Sequence, residues 1–431
     1  MPNRCDGLSR LYAHALTLAG PPTATPAQRA PGVRTPLVCR RTSHGVLMHS
    51  ATSGETGRLR IALVAPPSEA VPPAKYGGTE RIVHELAVEL HRRGHRVTLF
   101  ASGDSTVPCE LVPTAPAALR PLSQDEDWDG WVLFTLSEVL RRAARFDIIH
   151  SHLDWTGIML AQASPTPTIS TFHGRLDRPF AAALLEHAPP GLVAISRSQA
   201  SVHPSVPWAG IVHHGLTFDE AAYRDERTDD LVFVGRICEE KGVLDAIEVA
   251  RLTGRPLKIA AKIGPTPPEQ AYARDVFKPA LAQADTEFLG ELTGPERDRL
   301  VGASYAALMP GAWPEPFGLV AIESLGVGTP VIARRVGALP ELIRHGVDGF
   351  FADDPQQMAF MADRVASLDR AVIRSRALKN FSAGRMVDDY EEVYAKVLGS
   401  RAQRTLDEEL DGNELQPVKH ARERERELRP A

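Results

Sequence analysis

Glu315 and Glu323 stand eight positions apart in the run Trp313-Pro-Glu-Pro-Phe-Gly-Leu-Val-Ala-Ile-Glu323. Pro316 is excluded from a helix interior but suits a first turn. Phe317, Val320, Ile322 and Leu325 follow at near-helical spacing. The spacing predicts a helix starting near Pro316, with Glu315 in the loop before it and Glu323 about two turns in. Free N–H groups and the positive dipole end at such a start attract an anion such as phosphate. A carboxylate on each side of a bound diphosphate can hold hydroxyls of a sugar and of a ribose. Two glutamates at this spacing are common by chance and usually solvated. Here their weight comes from the Pro and Gly punctuation, Trp313 and the apolar run behind them.

Two cations fit the same chemistry. In Gly235-Arg-Ile-Cys-Glu-Glu-Lys-Gly242, Arg236 and Lys241 fall in the loop after an apolar strand. A guanidinium chelates phosphate and an ammonium adds a point charge. The plain alternative is a solvated pair meeting Glu239 and Glu240. Tyr76-Gly-Gly-Thr79 offers paired glycines before a helix, which allow close backbone approach to a ligand. A mere tight turn is the competing reading, and no dinucleotide fingerprint is met. His173 follows a strand and precedes Gly174, where an imidazole can reach substrate; His150 and His152 sit similarly after another strand. Asp125-Glu-Asp127 and Asp127-Trp-Asp129 match Asp-x-Asp, but their polar setting before a helix reads as a surface loop or cap. No metal-ligand constellation and no Walker loop is apparent.

The elements that must position these residues alternate. Arg60-Ile-Ala-Leu-Val-Ala65 reads as a buried parallel strand, and Thr79 to Leu90 as an amphipathic helix with Thr79 as its cap. Strands are expected at 96–100, 146–150, 168–172, 191–195 and 210–213, then, after a polar linker at 219–230, at 231–235, 257–261, 287–290, 306–309, 330–333 and 349–351. Two α/β series imply two doubly wound, Rossmann-like domains, with ligands at the carboxyl ends of the strands and in the cleft between them. The divisions are 1–57, 58–218, 219–230, 231–380, 381–399 as a terminal helix, and 400–431 as a charged disordered tail. Residues 1–57 are arginine-rich and acid-poor, a composition a transit peptide would share. A disordered extension is the simpler reading, or a true start at Met48.

The chain has 431 residues, enough for two ordinary cores. Lys+Arg number 49 against 54 Asp+Glu, a net charge of −5, which argues against a nucleic-acid binder relying on a positive field. Four cysteines without paired spacing favour a reducing compartment. No apolar run reaches membrane-spanning length. The expected location is the cytoplasm, with peripheral contact to the inner membrane face left open.

Between about Arg58 and Leu398 these motifs resemble the family-4 glycosyltransferases, retaining enzymes of the GT-B fold. The resemblance extends to Arg60-Ile-Ala-Leu-Val-Ala-Pro-Pro, Tyr76-Gly-Gly-Thr-Glu80 and Ala260-Ala-Lys-Ile-Gly264, which look like a bacterial branch acting on sugar nucleotides. It implies a hexosyltransferase that moves a sugar from a nucleoside diphosphate sugar to an acceptor hydroxyl of a glycan, lipid or small molecule. It implies no cofactor, no metal and no nucleic-acid partner. Arg236 and Lys241 would hold the diphosphate, Glu315 the donor sugar and Glu323 the ribose. Phe317, Gly318 and Leu319 would supply backbone N–H groups. Gly77 and Gly78 would face the acceptor, and His173 would stand near the donor sugar. The family's usual Asn-Gly is His214-Gly215 here, a difference expected to concern only a turn. The terminal helix, 381–398, would cross back to the first domain. A sugar-nucleotide epimerase of the same architecture and a non-catalytic sugar-nucleotide or glycan binder are the alternatives; a glycan phosphorylase lacks a motif-placed lysine for pyridoxal phosphate.

Overall fold

The computed structural model describes residues 57–75, 77–120 and 127–414. The expectations for Tyr76, for Asp125, for the segment 1–56 and for the chain past 414 lie outside the described residues.

Among the described residues, seven strands form the first sheet: β1 (Arg60–Val64), β2 (Arg96–Ser102), β3 (Glu110–Ala115), β4 (Ile148–Ser151), β5 (Thr168–Thr171), β6 (Leu192–Ala194) and β7 (Gly210–Ile211). They pair in parallel in the order β3-β2-β1-β4-β5-β6-β7. Six form the second: β8 (Leu231–Arg236), β9 (Leu257–Lys262), β10 (Thr286–Gly290), β11 (Ala306–Met309), β12 (Val331–Ala333) and β13 (Gly349–Phe351). Their order is β10-β9-β8-β11-β12-β13, again parallel. Ile61 to Val64 are fully buried, as a strand covered on both faces requires. Chain order reverses between β1 and β4 and between β8 and β11. Loops leaving those strands therefore open into a crevice at each sheet's carboxyl edge. One apolar cluster runs from Ile61 and Leu63 through Leu216 and Phe381 to Phe317 and Ile322, joining the two sheets.

Several local expectations shift. Thr79 does not cap the first helix; that helix is Gly78–Arg92 and its cap position is Gly77. The helix expected near Pro316 is Leu319–Gly326, preceded by Gly318 at φ 101°. An L side chain at Gly318 would be strained, and its Cβ would lie 2.8 Å from Leu339 Cδ2. The glycine therefore turns the chain and delays the helix by three residues. Asp127 caps the helix Trp128–Arg142, accepting the Gly130 N–H at 2.9 Å.

The last helix, Ala383–Glu414, outruns its expected end at 399, because Ala, Gln, Leu, Glu and Arg beyond that point favour helix. It packs on the first sheet's side. Tyr390 and Tyr394 are fully buried, and Arg93 pairs with Glu391 at 2.6 Å and with Asp388 at 2.7 Å.

Candidate active site

A cavity of about 830 Å3 lies between the carboxyl edges of the two sheets. That size suits a small-molecule site. All ten residues singled out by sequence line it: Gly77, Gly78, His173, Arg236, Lys241, Glu315, Phe317, Gly318, Leu319 and Glu323. A more open depression of about 580 Å3 around Tyr223, Asp225 and Arg370 contains none of them.

The loops after β8 and β11 build the second sheet's wall. They touch backbone to backbone where both carry glycine: a Cβ on Gly242 would meet Pro310 and Gly311 at 2.9 Å, and one on Gly311 would meet Glu240 O at 2.6 Å. That approach brings Lys241 Nζ within 2.5 Å of Glu315 Oε1. Trp313 lies between two cations, 5.5 Å from Lys241 Nζ and 5.4 Å from Arg175 Cζ at its ring centroid. Arg236 pairs with Glu269 at 3.2 Å and reaches Glu240 at 4.0 Å.

Glu323, only 8 % exposed, is the second carboxylate of the pair. Its partners are Arg297, at 3.1 Å, and Arg81, which comes across from the helix Gly78–Arg92. Burial alone would lower the Arg297 guanidinium, but Glu323 and Asp298 more than offset it. Neither arginine was singled out by sequence. Arg81 has no motif spacing to Glu323, 242 residues away, and only the fold joins them.

The loops after β1, β4 and β5 build the first wall. A Cβ on Gly77 would lie 2.7 Å from Pro73, and one on Gly78 would lie 3.1 Å from Leu319 Cδ1. The glycine loop thus abuts the start of the second sheet's helix, where a side chain would not fit without movement. His173 is held through its ring by His152, Nδ1 to Nε2 at 2.9 Å, and through its backbone N–H by Asp154 Oδ1 at 2.7 Å. His214 stacks on His173 with centroids 5.1 Å apart and meets Phe317 edge-on. The expectation that His214 concerns only a turn therefore fails: it is buried and lines the cavity. Its departure from Asn was the available signal.

Burial controls protonation on this wall. Desolvation holds His173 down to about 3 and keeps His150, His152 and His214 well below the usual histidine range. The same cause pushes Glu80, in the first turn beside the glycine loop, up to about 7, and Asp154 up to about 6. Asp154 is half-buried as a residue, yet its carboxyl is turned into the dry loop. Among the described residues no group of three or more His, Cys, Asp or Glu is placed to hold a metal ion, and no helix is long and apolar enough to cross a membrane.

Two doubly wound parallel sheets, facing across a cavity of paired carboxylates and cations, define the GT-B fold. The chain belongs to the family-4 glycosyltransferases: residues 76–207 match the model for Glycosyltransferase Family 4, and residues 217–376 match that for Glycosyl transferases group 1. It is 28 % identical over 388 residues to a glycogen synthase of Mycobacterium tuberculosis, covering 77 % of this chain and 91 % of the relative. It is 26 % identical over 392 residues to a D-inositol 3-phosphate glycosyltransferase of Mycolicibacterium vanbaalenii, covering 76 % and 87 %. Among solved structures, a glycosyltransferase of avilamycin A biosynthesis aligns with a TM-score of 0.59 at 24 % identity, over 79 % of this chain and 98 % of that one. The catalytic domain of Arabidopsis thaliana starch synthase IV, bound to ADP and acarbose, aligns at 0.61 and 16 % identity, over 80 % and 100 %.

Proposed function

We propose that this glycosyltransferase takes its sugar from a nucleoside diphosphate sugar and transfers it, with retention of anomeric configuration, to an acceptor hydroxyl, without a metal ion. Residues 231–380 serve the donor and residues 58–218 the acceptor. The observation that carries the reading is the convergence of Lys241, Arg236, Glu315, Glu323 and the Gly318–Leu319 helix start on one cavity. Arg236 and Lys241 neutralise the diphosphate, and the backbone N–H groups of Phe317, Gly318 and Leu319 supply further donors. Glu315 accepts from donor-sugar hydroxyls, Glu323 from the ribose. Gly77 and Gly78 leave room for the acceptor, and His173 stands beside the donor sugar. Solved relatives hold UDP and glucose in one case and ADP in another, which supports a nucleotide donor.

Retention proceeds by attack on the face the leaving group vacates, with a leaving phosphate oxygen taking the acceptor proton. We favour this over a covalent route through Glu315, whose carboxylate is paired with Lys241 and placed as a hydrogen-bond acceptor. Electrostatic stabilisation of the departing diphosphate does the work instead.

The test is a panel of nucleotide sugars that includes UDP-glucose and ADP-glucose, followed by NMR of the product. Release of nucleoside diphosphate with an unchanged anomeric configuration is expected, undiminished by chelator. A new nucleotide sugar without free diphosphate would make the protein an epimerase. A trapped glycosyl-Glu315 would overturn the mechanism, and no turnover with any donor would leave a binding protein.

A further inference from the structure

We propose that His152 and Asp154 are positioning residues that fix His173 in one tautomer, its Nδ1 protonated and presented to the cavity. The proposal rests on His173 being a contact of the donor sugar.

Both residues lie in the loop after β4, and both reach the loop after β5. His173 is held at several points by this arrangement. Asp154 takes its backbone N–H, and Gln199 Nε2 donates to the flanking carbonyls Phe172 O at 3.1 Å and Gly174 O at 2.9 Å. His152 takes its ring Nε2. Nδ1 is the ring nitrogen left to serve the cavity.

The direction of the imidazole–imidazole bond follows from what is buried. The other ring nitrogen of His152, Nε2, is buried without a partner. If His173 Nε2 were the donor, His152 would have to carry its proton on that orphaned nitrogen. Buried N–H groups without acceptors are rarer than acceptors left unused. The favoured arrangement has His152 Nδ1–H donating to a bare His173 Nε2, which puts the His173 proton on Nδ1. Both rings stay neutral because both are desolvated. A neutral N–H donor suits a sugar hydroxyl oxygen or an oxygen gaining charge as the bond to phosphate breaks.

The backbone around Asp154 supports a dedicated role. It is the one non-glycine with positive φ among the described residues, at φ 47° and ψ −120°. It occupies the cap position of the helix Trp155–Ala163 but makes no side-chain cap bond. Its carboxylate is turned away, toward His173 and Gly174. A Cβ on Gly174 would lie 3.0 Å from Asp154 Oδ2, so glycine lets the loop settle onto the carboxylate. Strain of this kind persists only where the surroundings over-determine it, and it clusters at functional sites.

His152 itself is braced from behind. His150 packs against it at a tilt of 33° with centroids 4.1 Å apart, and both His150 nitrogens are occupied, Nδ1 by Tyr394 OH at 2.9 Å and Nε2 by Thr171 Oγ1 at 2.8 Å.

Long-range proton–nitrogen NMR on the full histidine-labelled chain reads the tautomer directly, with His173 assigned by its loss in His173→Gln. A protonated Nδ1 and a bare Nε2 are expected; the reverse pattern overturns the proposal. Kinetics with UDP-glucose or ADP-glucose read the consequence. His152→Phe, which keeps the ring and deletes the donor, should lower kcat about 10- to 100-fold with donor KM changed by less than about 2-fold. Asp154→Asn keeps an oxygen for the His173 N–H and should retain most activity. Asp154→Gly relieves the backbone but deletes the carboxylate, and should lose activity. Folded His152→Phe and Asp154→Gly proteins with wild-type kcat would sink the idea. If the wild-type protein cleaves no nucleotide sugar of the panel, the proposed donor reading fails, and the tautomer alone decides this one.

Discussion

The two walls of the cavity handle charge in opposite ways. The second sheet's wall keeps formal charges and pairs them: Lys241 with Glu315, Arg236 with Glu269, Arg297 with Glu323. The first sheet's wall also brings Arg81 and Arg175 to the cavity, but around them burial suppresses charge, holding four imidazoles neutral and pushing the Glu80 and Asp154 carboxyls up to about 7 and 6. Each cation of the second sheet's wall already stands in a fixed place when a polyanion enters, although its carboxylate partner must yield. Neutral donors and acceptors suit hydroxyls, whose recognition needs hydrogen bonds rather than net charge. In the proposed function, the diphosphate meets the wall of paired charges and the hydroxyl chemistry falls to the other.

The largest effect should come from breaking the charged wall. Lys241→Ala is expected to cut kcat/KM about 100- to 1,000-fold, the scale of losing one preorganised stabiliser of developing charge. The pair is partly exposed, so unfolding stability should fall by less than about 2 kcal/mol. A steady-state assay and a denaturant melt check both, and full activity in a folded variant would erase the distinction between the walls.

Next in size is the crossing contact. Glu323→Ala leaves Arg81 and Arg297 facing each other without their shared carboxylate. UDP affinity should drop about 10- to 100-fold, or about 1.4–2.8 kcal/mol, by calorimetry. Arg81→Ala removes a competitor for the same oxygens and should not weaken UDP binding; a loss equal to that of Glu323→Ala would mean that Arg81 itself grips the nucleotide.

The neutral wall should announce itself in the pH dependence of stability. The four histidines have folded pKa values below their unfolded ones, so the unfolded chain binds more protons, and stability falls as pH drops below about 6.5. Glu80 has the opposite sign. Its folded value is raised, so its contribution is fully present below about 4.5 and is lost as pH rises through about 7. His214→Asn should flatten the acid limb of Tm against pH, while Glu80→Gln should flatten the fall toward neutrality. Unchanged slopes in both would show that burial does not govern this wall.

The smallest expected change is Arg175→Ala. It removes one of the two cations at Trp313 and should cost about 0.5–1 kcal/mol at most, seen as a modest rise in donor KM.

Residue pattern alone exposes the charged wall better than the neutral one. Arg236, Lys241 and the Glu315–Glu323 pair carry local signals, being polar residues in glycine- and proline-marked loops behind apolar strands. The strands themselves are legible because continuous apolar runs such as Ile61–Val64 have no other stable use. The edge strand β3 is not, because Pro113 interrupts it and only one neighbour pairs with it. The late start of the helix Leu319–Gly326 is hidden because Gly318 reads as tolerable helix while its positive φ ends that option. The links from Arg81 to Glu323 and from His152 to His173 cannot be read locally at all. They are long-range consequences of where the strand ends converge, and His214 looks like a turn residue until the cavity gives it a neighbour.

Tyr394 and Tyr390 carry a consequence for synthesis. Residues 60–211 leave the ribosome well before residue 383, yet the hydroxyls that occupy His150 and Thr171 belong to the helix Ala383–Glu414. Until residue 394 has emerged, His150 keeps Thr171 but its Nδ1 lacks the Tyr394 hydroxyl that it meets in the folded protein. A nascent chain can assemble these seven strands early, but it acquires a finished histidine floor only when the helix carrying Tyr390 and Tyr394 is out as well.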